Sequence, residues 1–281
     1  MNYIEKLKYI IKKKKSNLIV GLDPDIEKIP EIFLKYSNPI LEFNKSVINA
    51  SKEIVAGYKF NIAFYEVLMG NSMDIIAKSL SFIPRNCVTI CDAKRGDIPN
   101  TSEMYAKTYF DNLCFDAITL SPYMGLDSVE PFFKRKNKFA YILALTSNKG
   151  SSDFQKIKSG NTYLFEIIVK KYLKMYGTDQ TGFIFGANHL SDIKRMTKKN
   201  PNLSLLIPGI GAQGNDLREL ISNLYNDVFV INSSRSIIYS SRKNITLPEY
   251  LKYVKNRSNE FNSTINQYNT SHKKQEKRRQ V

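Results

Sequence analysis

VTICDAKRGDIPNTSEMYAKTYF, residues 88 to 110, starts as an apolar run and finishes as a helix-like segment, with Asp92, Lys94 and Asp97 at the join. In an extended strand alternate side chains share a face, so Val88, Ile90, Asp92 and Lys94 point one way and Cys87, Cys91 and Ala93 the other. Apolar side chains followed on the same line by an acid and a base put both charges at the strand's C-terminal mouth. In parallel α/β proteins that mouth is where ligands bind. A solvated salt-bridge cluster in a loop is the competing reading of a D-x-K-x-x-D string, and the rest of the chain decides between the two.

Outward from this stretch, short β-like runs alternate with helical periodicity. Strands are predicted at Leu18–Leu22, Ile54–Phe60, Val88–Asp92, Ala117–Leu120, Ala140–Leu145, Gly182–Phe185, Leu203–Ile207 and Val228–Ile231. Helices are predicted at Ile40–Lys52, Met73–Phe82, Ser102–Leu113, Ser128–Phe133, Thr162–Met175, Ser191–Thr197, Asp216–Leu224 and from Pro248 to about Ser263. Gly21, Pro24, Gly125, Gly177, Pro208 to Gly214, and Pro248 punctuate the units where strand–helix alternation needs breakers. Eight such units with short connections predict one parallel (β/α)8 TIM barrel over residues 1–263. The remaining 264–281 are polar and basic with little periodic apolar content, so a disordered or frayed tail is expected there.

Composition agrees with a self-sufficient globular fold. The 281 residues are 42% hydrophobic, with 13 Gly and 10 Pro, and carry a formal charge of +16. Such charge invites a nucleic-acid reading. However, the excess sits at the ends, in Lys12 to Lys15 and in Lys273, Lys274, Lys277, Arg278 and Arg279, or is spread over helical faces without interleaved aromatics. Nucleic acid is therefore set aside as the main partner. Cys87, Cys91 and Cys114 are odd in number and lack zinc-like spacing, and they read as buried thiols of a reducing compartment. The N-terminus has no signal-peptide core and no run nears the roughly 18 apolar residues of a membrane span, so a cytoplasmic protein without membrane contact is expected.

If the barrel forms, polar residues should gather at the strand ends, and they do. Asp23 follows the first strand, Lys59 and Asn61 end the second, and Asp92, Lys94 and Asp97 follow the third. Tyr123 follows the fourth, Thr146, Ser147 and Asn148 the fifth, Gln213 the seventh, and Ser234 and Arg235 the eighth. Gly209, Gly211 and Gly214 would expose backbone N–H groups just before a helix, and Arg235 adds a fork of donors, an arrangement suited to a phosphate monoester. GIGAQG also satisfies G-x-G-x-x-G, but it comes at the seventh strand, and the next strand ends in Asn-Ser-Ser-Arg rather than in an acid. A dinucleotide site is accordingly disfavoured. His189 reads as a residue at a helix start and His272 lies in the tail, so neither a metal centre nor a Ser-His-Asp triad is supported.

These blocks resemble the orotidine 5′-phosphate decarboxylase family. GLDPD at 21–25, YKFNIAFYE at 58–66, DAKRGDIPNT at 92–101, LTSN at 145–148, PGIGAQGND at 208–216 and NSSRSI at 232–237 occur in the family's order, each at a strand end. The wording of the second and third blocks is similar to the longer bacterial and protozoan branch. The resemblance implies cofactor-free decarboxylation of orotidine 5′-monophosphate to UMP, with no metal. It implies that Lys94 is the proton donor and that Asp92 lies against the substrate carboxylate. Asp23 and Lys59 would hold the ribose hydroxyls, with Asn61 beside them and Lys59 completing a charge array with Asp92 and Asp97. Thr146 and Ser147 would bind the pyrimidine amide edge, and Gln213 and Arg235 the phosphate. Asp97 and Thr101 would enter a neighbouring subunit's site, making a homodimer the active form, and Ile98 would contribute to substrate binding. Ser234 stands where many relatives have glycine. The nearest rival is a Mg²⁺-dependent sugar-phosphate decarboxylase or aldolase of the same superfamily. A basic nucleic-acid-binding protein on a barrel scaffold is a rival of another class, and it would show a steep salt slope and no turnover.

Overall fold

The structure, a computed structural model, describes residues 1–209, 216–226 and 228–279, those from 270 onward by backbone alone. The first elements are helix α1 (Tyr3–Lys14), strand β1 (Leu18–Leu22), helix α2 (Pro39–Ser51) and strand β2 (Gly57–Asn61). Short α3 (Ala63–Glu66) and α4 (Ser72–Ser81) lead to β3 (Val88–Arg95), α5 (Pro99–Ala106) and β4 (Ala117–Leu120). After α6 (Glu130–Phe133), β5 (Phe139–Leu145) and α7 (Ser151–Phe154) comes a small hairpin, β6 (Lys158–Ser159) and β7 (Thr162–Tyr163). The chain continues with α8 (Leu164–Gln180), β8 (Thr181–Phe185), α9 (Leu190–Lys199), β9 (Ser204–Pro208), α10 (Leu217–Ser222), β10 (Phe229–Ser233), α11 (Arg235–Ile238) and α12 (Leu247–Arg279).

Eight of the strands close in the order β1-β2-β3-β4-β5-β8-β9-β10, with β10 returning to β1. Every pair in the ring is parallel, so the predicted eight-stranded α/β barrel is the fold. Side chains alternate as a closed sheet demands. Leu18, Val20, Tyr58, Phe60, Cys91 and Ile118 pack outward against the helices. Ile19, Val88, Ile90, Ala117, Tyr141 and Leu206 fill the interior.

The interior is plugged at the strands' N-terminal end by α1, whose Tyr3, Ile4, Leu7 and Ile10 join Ile19, Val88, Phe139 and Val230 in one cluster. Asn2 and Glu5 cap this helix reciprocally, each side chain taking the other's backbone N–H at 2.9 and 2.8 Å. The lysine-rich composition of this stretch conceals the helix, yet its 3-4-7-10 apolar spacing is that of a helix buried on one face.

Three expectations are corrected. The helix expected at Ser102–Leu113 begins earlier, because Pro99 suits the first helical position, and it passes into a π-helical turn over Lys107–Asn112. Cys87 and Cys91 are buried as expected, but Cys114 is exposed. Its backbone turns back at φ 59° just after that π turn. Finally, α12 does not stop near Ser263. Val254, Ser258, Phe261, Ile265 and Tyr268 repeat at helical spacing, Ile265 is fully buried, and Asn266 Nδ2 donates to Lys15 O at 2.6 Å. The polar composition of this segment hid a narrow apolar stripe that keeps the helix against the barrel.

Candidate active site

Period-two alternation carries three charged side chains into the open mouth of the barrel. Ile19, Gly21 and Asp23 lie along one line, Gly57 and Lys59 along the next, and Val88, Ile90 and Asp92 along the third, with Gly21 opposite Lys59 and Lys59 opposite Ile90. Lys59 is 3% exposed. Its ammonium sits 2.9 Å from Asp92 Oδ2 and 3.8 Å from Asp23 Oδ1. Burial disfavours that charge, but the two carboxylates outweigh it and raise the lysine above its ordinary value. Asp92 shows the converse balance. Burial pushes its carboxyl up, Lys59 and Lys94 pull harder, and it is held well below the usual carboxylate range. At neutral pH the pair is therefore fully charged.

Lys94 Nζ donates to Asp92 Oδ1 at 2.7 Å, and its side chain remains 48% exposed toward the mouth. Lys94 does not simply continue the strand line, because its backbone has φ 50° and the β3–β4 register shifts between Cys91 and Arg95. Asn61 pairs with Asp92 across the ladder. Asp23, Lys59, Asn61, Asp92 and Lys94 are thus brought together. Asp97, Ile98 and Thr101 are not. Asp97 Oδ1 accepts the Ile98 N–H at 2.7 Å, and among the described residues it forms no ion pair with Lys94 or any other cation. Ile98 is exposed, and Thr101 lies half-buried in the first turn of α5.

At the end of β5, Thr146 and Ser147 are held from both sides. Gln155 Oε1 accepts the Thr146 N–H at 2.7 Å, Gln155 Nε2 donates to Thr146 Oγ1 at 2.9 Å, and His189 Nε2 lies 2.9 Å from Thr146 O. Asn188 Nδ2 donates to Ser147 O at 3.3 Å. His189 stands at the cap position of α9, as its sequence context suggested. Its contact with Thr146, and the part played by Gln155, were not legible because both link loops distant in sequence.

The end of β10 meets the end of β1. A Cβ on Gly21 would lie 2.7 Å from Ser234 Cβ, so only glycine lets these segments approach. Tyr239 ties them further: its hydroxyl donates to Asp23 O and accepts the Asp25 N–H, both at 2.7 Å. Buried oxygens of Asp23, Asn232 and Ser234 have no hydrogen-bond partner among the described residues. Unsatisfied acceptors at one mouth are what a ligand rich in hydroxyls would complete. Arg235 is exposed just beyond them, at the same end of the parallel barrel as Asp92 and Lys94. Gln213, Gly211 and Gly214 lie outside the described residues.

Among the described residues no group of three or more His, Cys, Asp and Glu side chains converges as a metal site. A groove of about 950 Å³ lies elsewhere, on the outer helical layer, lined by α8, α9 and the β6–β7 hairpin. It contains none of the paired charges described above, so the barrel mouth is the chemically equipped site.

Comparison with known proteins agrees with this geometry. The Orotidine 5′-phosphate decarboxylase / HUMPS family matches residues 16–247. The chain is 42% identical over 247 residues to an orotidine 5′-phosphate decarboxylase of Dehalococcoides mccartyi, covering 85% of this chain and 90% of that protein. It superposes on the structure of Leishmania donovani OMP decarboxylase with a TM-score of 0.83 and 29% identity, over 96% of this chain and 100% of the other. The Leishmania donovani UMP synthase structure gives a TM-score of 0.85 at 30% identity, and there 96% of this chain corresponds to only 57% of the longer one. The chain belongs to the Orotidine 5′-phosphate decarboxylase / HUMPS family.

Proposed function

We propose that this protein decarboxylates orotidine 5′-monophosphate to UMP and CO₂, the last step of UMP synthesis. The observation that carries the reading is the Lys94 ammonium, hydrogen-bonded to a partly buried carboxylate that is itself pinned by Lys59. Heterolysis of the bond between C6 and the carboxylate leaves an electron pair in the pyrimidine plane, where ring π-delocalisation cannot take it up. A cation placed beforehand stabilises that charge and then supplies the proton that C6 needs. Lys94 gives up its proton to C6, CO₂ departs, and the amine is reprotonated from solvent through its exposed side. Asp92 adds repulsion toward the substrate carboxylate that is relieved as CO₂ leaves.

In this reading Asp23, Lys59 and Asn61 hold the ribose, Thr146 and Ser147 read the pyrimidine amide edge, and Arg235 with Gln213 takes the phosphate. Phosphate binding remote from C6 can then drive positioning as well as affinity. Arg235→Ala is expected to weaken UMP binding by about ten- to a hundredfold, the worth of hydrogen bonds between charged groups, while uridine binding stays unchanged. Calorimetric titration with the two ligands checks this, and an unaltered affinity for UMP would remove the arginine from the phosphate site.

The active form is proposed to be a homodimer. Among the described residues Asp97 forms no ion pair, Gly96 brings its segment against Ser121, and Ile98, Met104, Tyr123 and Met124 on the flanking segments are exposed. Exposed apolar side chains on the segments that flank such an acid suit a second copy, with Asp97, Ile98 and Thr101 delivered into the neighbouring mouth. No described helix is long and apolar enough to cross a membrane, and we place the enzyme in the cytoplasm with its soluble nucleotide substrate.

The decisive assay follows the absorbance of orotidine 5′-monophosphate in the presence of EDTA. Undiminished turnover is expected. Loss of activity restored by Mg²⁺, or turnover of a sugar phosphate instead, would transfer the protein to the metal-dependent branch of its superfamily.

A further inference from the structure

Opposite the Asp92–Ala93–Lys94 step the barrel ladder is irregular. Cys91 pairs with Ile118 and Arg95 with Leu120, so Thr119 alone faces the three residues between them on β3. The surplus is taken up as a bulge in which Lys94 adopts φ 50°, a region that side chains with a Cβ occupy only under local constraint. In a regular ladder the Lys94 N–H would reach a carbonyl of β4. Here it donates to Thr119 Oγ1 at 2.9 Å. The same hydroxyl spends its own proton on Asp92 Oδ1, also at 2.9 Å. That carboxylate oxygen is the one that receives Lys94 Nζ at 2.7 Å. Thr119 is fully buried, so water does not compete for these bonds.

We propose that Thr119 is a positioning residue for the decarboxylation, one hydroxyl locking the Lys94 backbone and the Asp92 carboxylate into a single geometry. The inference rests on the reading of Lys94 as proton donor and deepens it. A hydroxyl both donates and accepts, and this place needs both. Valine has nearly the same shape and does neither. It would orphan a buried N–H and strip one donor from the carboxylate, freeing Lys94 to leave the productive position. Serine keeps both bonds. Because Thr119 is placed behind Asp92 and Lys94 rather than in the mouth, its loss should appear in kcat and not in nucleotide affinity.

Thr119→Val, Thr119→Ser and Lys94→Ala of the full chain, assayed side by side with UMP affinity measured for each, provide the test. Thr119→Val is expected to lower kcat about ten- to a hundredfold with UMP affinity within about threefold of wild type, and Thr119→Ser to return kcat to within about threefold. Near wild-type kcat in Thr119→Val beside an inactive Lys94→Ala overturns the positioning role and leaves the site reading intact. Thr119→Ser as impaired as Thr119→Val also overturns it, since lost packing rather than the hydroxyl would then account for the effect. An active Lys94→Ala overturns both. Should Thr119→Val fail to fold, Thr119→Ala is judged by the same thresholds.

Discussion

Lys94→Ala is expected to abolish turnover, lowering kcat by about 10⁴-fold or more, while the protein remains folded and still binds UMP. The magnitude follows from removing two effects at once, the cation that meets the developing charge and the proton that quenches it, each worth about 10² to 10⁴ in rate. Folding should survive for local reasons. The side chain is half exposed, and Asp92 keeps Lys59 at 2.9 Å and Thr119 at 2.9 Å as donors when Lys94 is lost. Both lysine and alanine carry a Cβ, so the backbone at φ 50° is no more strained in the variant than in the native chain. Single-turnover kinetics together with circular dichroism check the result. A variant that is folded and retains near-native kcat would show that the proton comes from somewhere else.

The second large effect is expected from mixing two inactive proteins. Asp92→Ala lacks the carboxylate that holds Lys59 and Lys94, and Asp97→Ala lacks the acid offered to a neighbour. Each alone should be nearly dead. In a heterodimer one mouth combines the intact Asp92 of one chain with the intact Asp97 of the other, and the second mouth carries both lesions. Random reassociation of equal amounts makes half of the dimers mixed with one good site in two, so about a quarter of native activity should return. Recovery after mixing under conditions that allow exchange, measured against each variant alone, reads this directly. No recovery despite demonstrated subunit exchange would confine each site to one chain and leave Asp97 without a catalytic role.

Much of the site was legible because barrel geometry converts sequence position into spatial position. Asp23, Lys59 and Asp92 each follow an apolar strand body by an even step, and parallel strands in register then deliver them to one mouth, where the carboxylates lie 2.9 and 3.8 Å from the Lys59 ammonium. Arg235 and Thr146 were located by the same rule. The supporting residues were not legible. Thr119 sits in Ala-Ile-Thr-Leu, a plain strand by pattern, and nothing local says that three residues of β3 will face it. Gln155 and His189 act on Thr146 from loops 9 and 43 residues away in sequence. The same blindness affected the outer layer, where α1 and the far half of α12 were read by composition although each carries a stripe that the barrel buries.

What the sequence alone determined, then, is the eightfold alternation and which side chains reach the open mouth, because periodicity is a local property that survives without knowledge of neighbours. Which residues brace those side chains, and the turn of Lys94 out of the strand line back onto Asp92, belonged to the tertiary structure. A bulge is set by the register between two strands, and that register arises only when the closing ring fits all eight together.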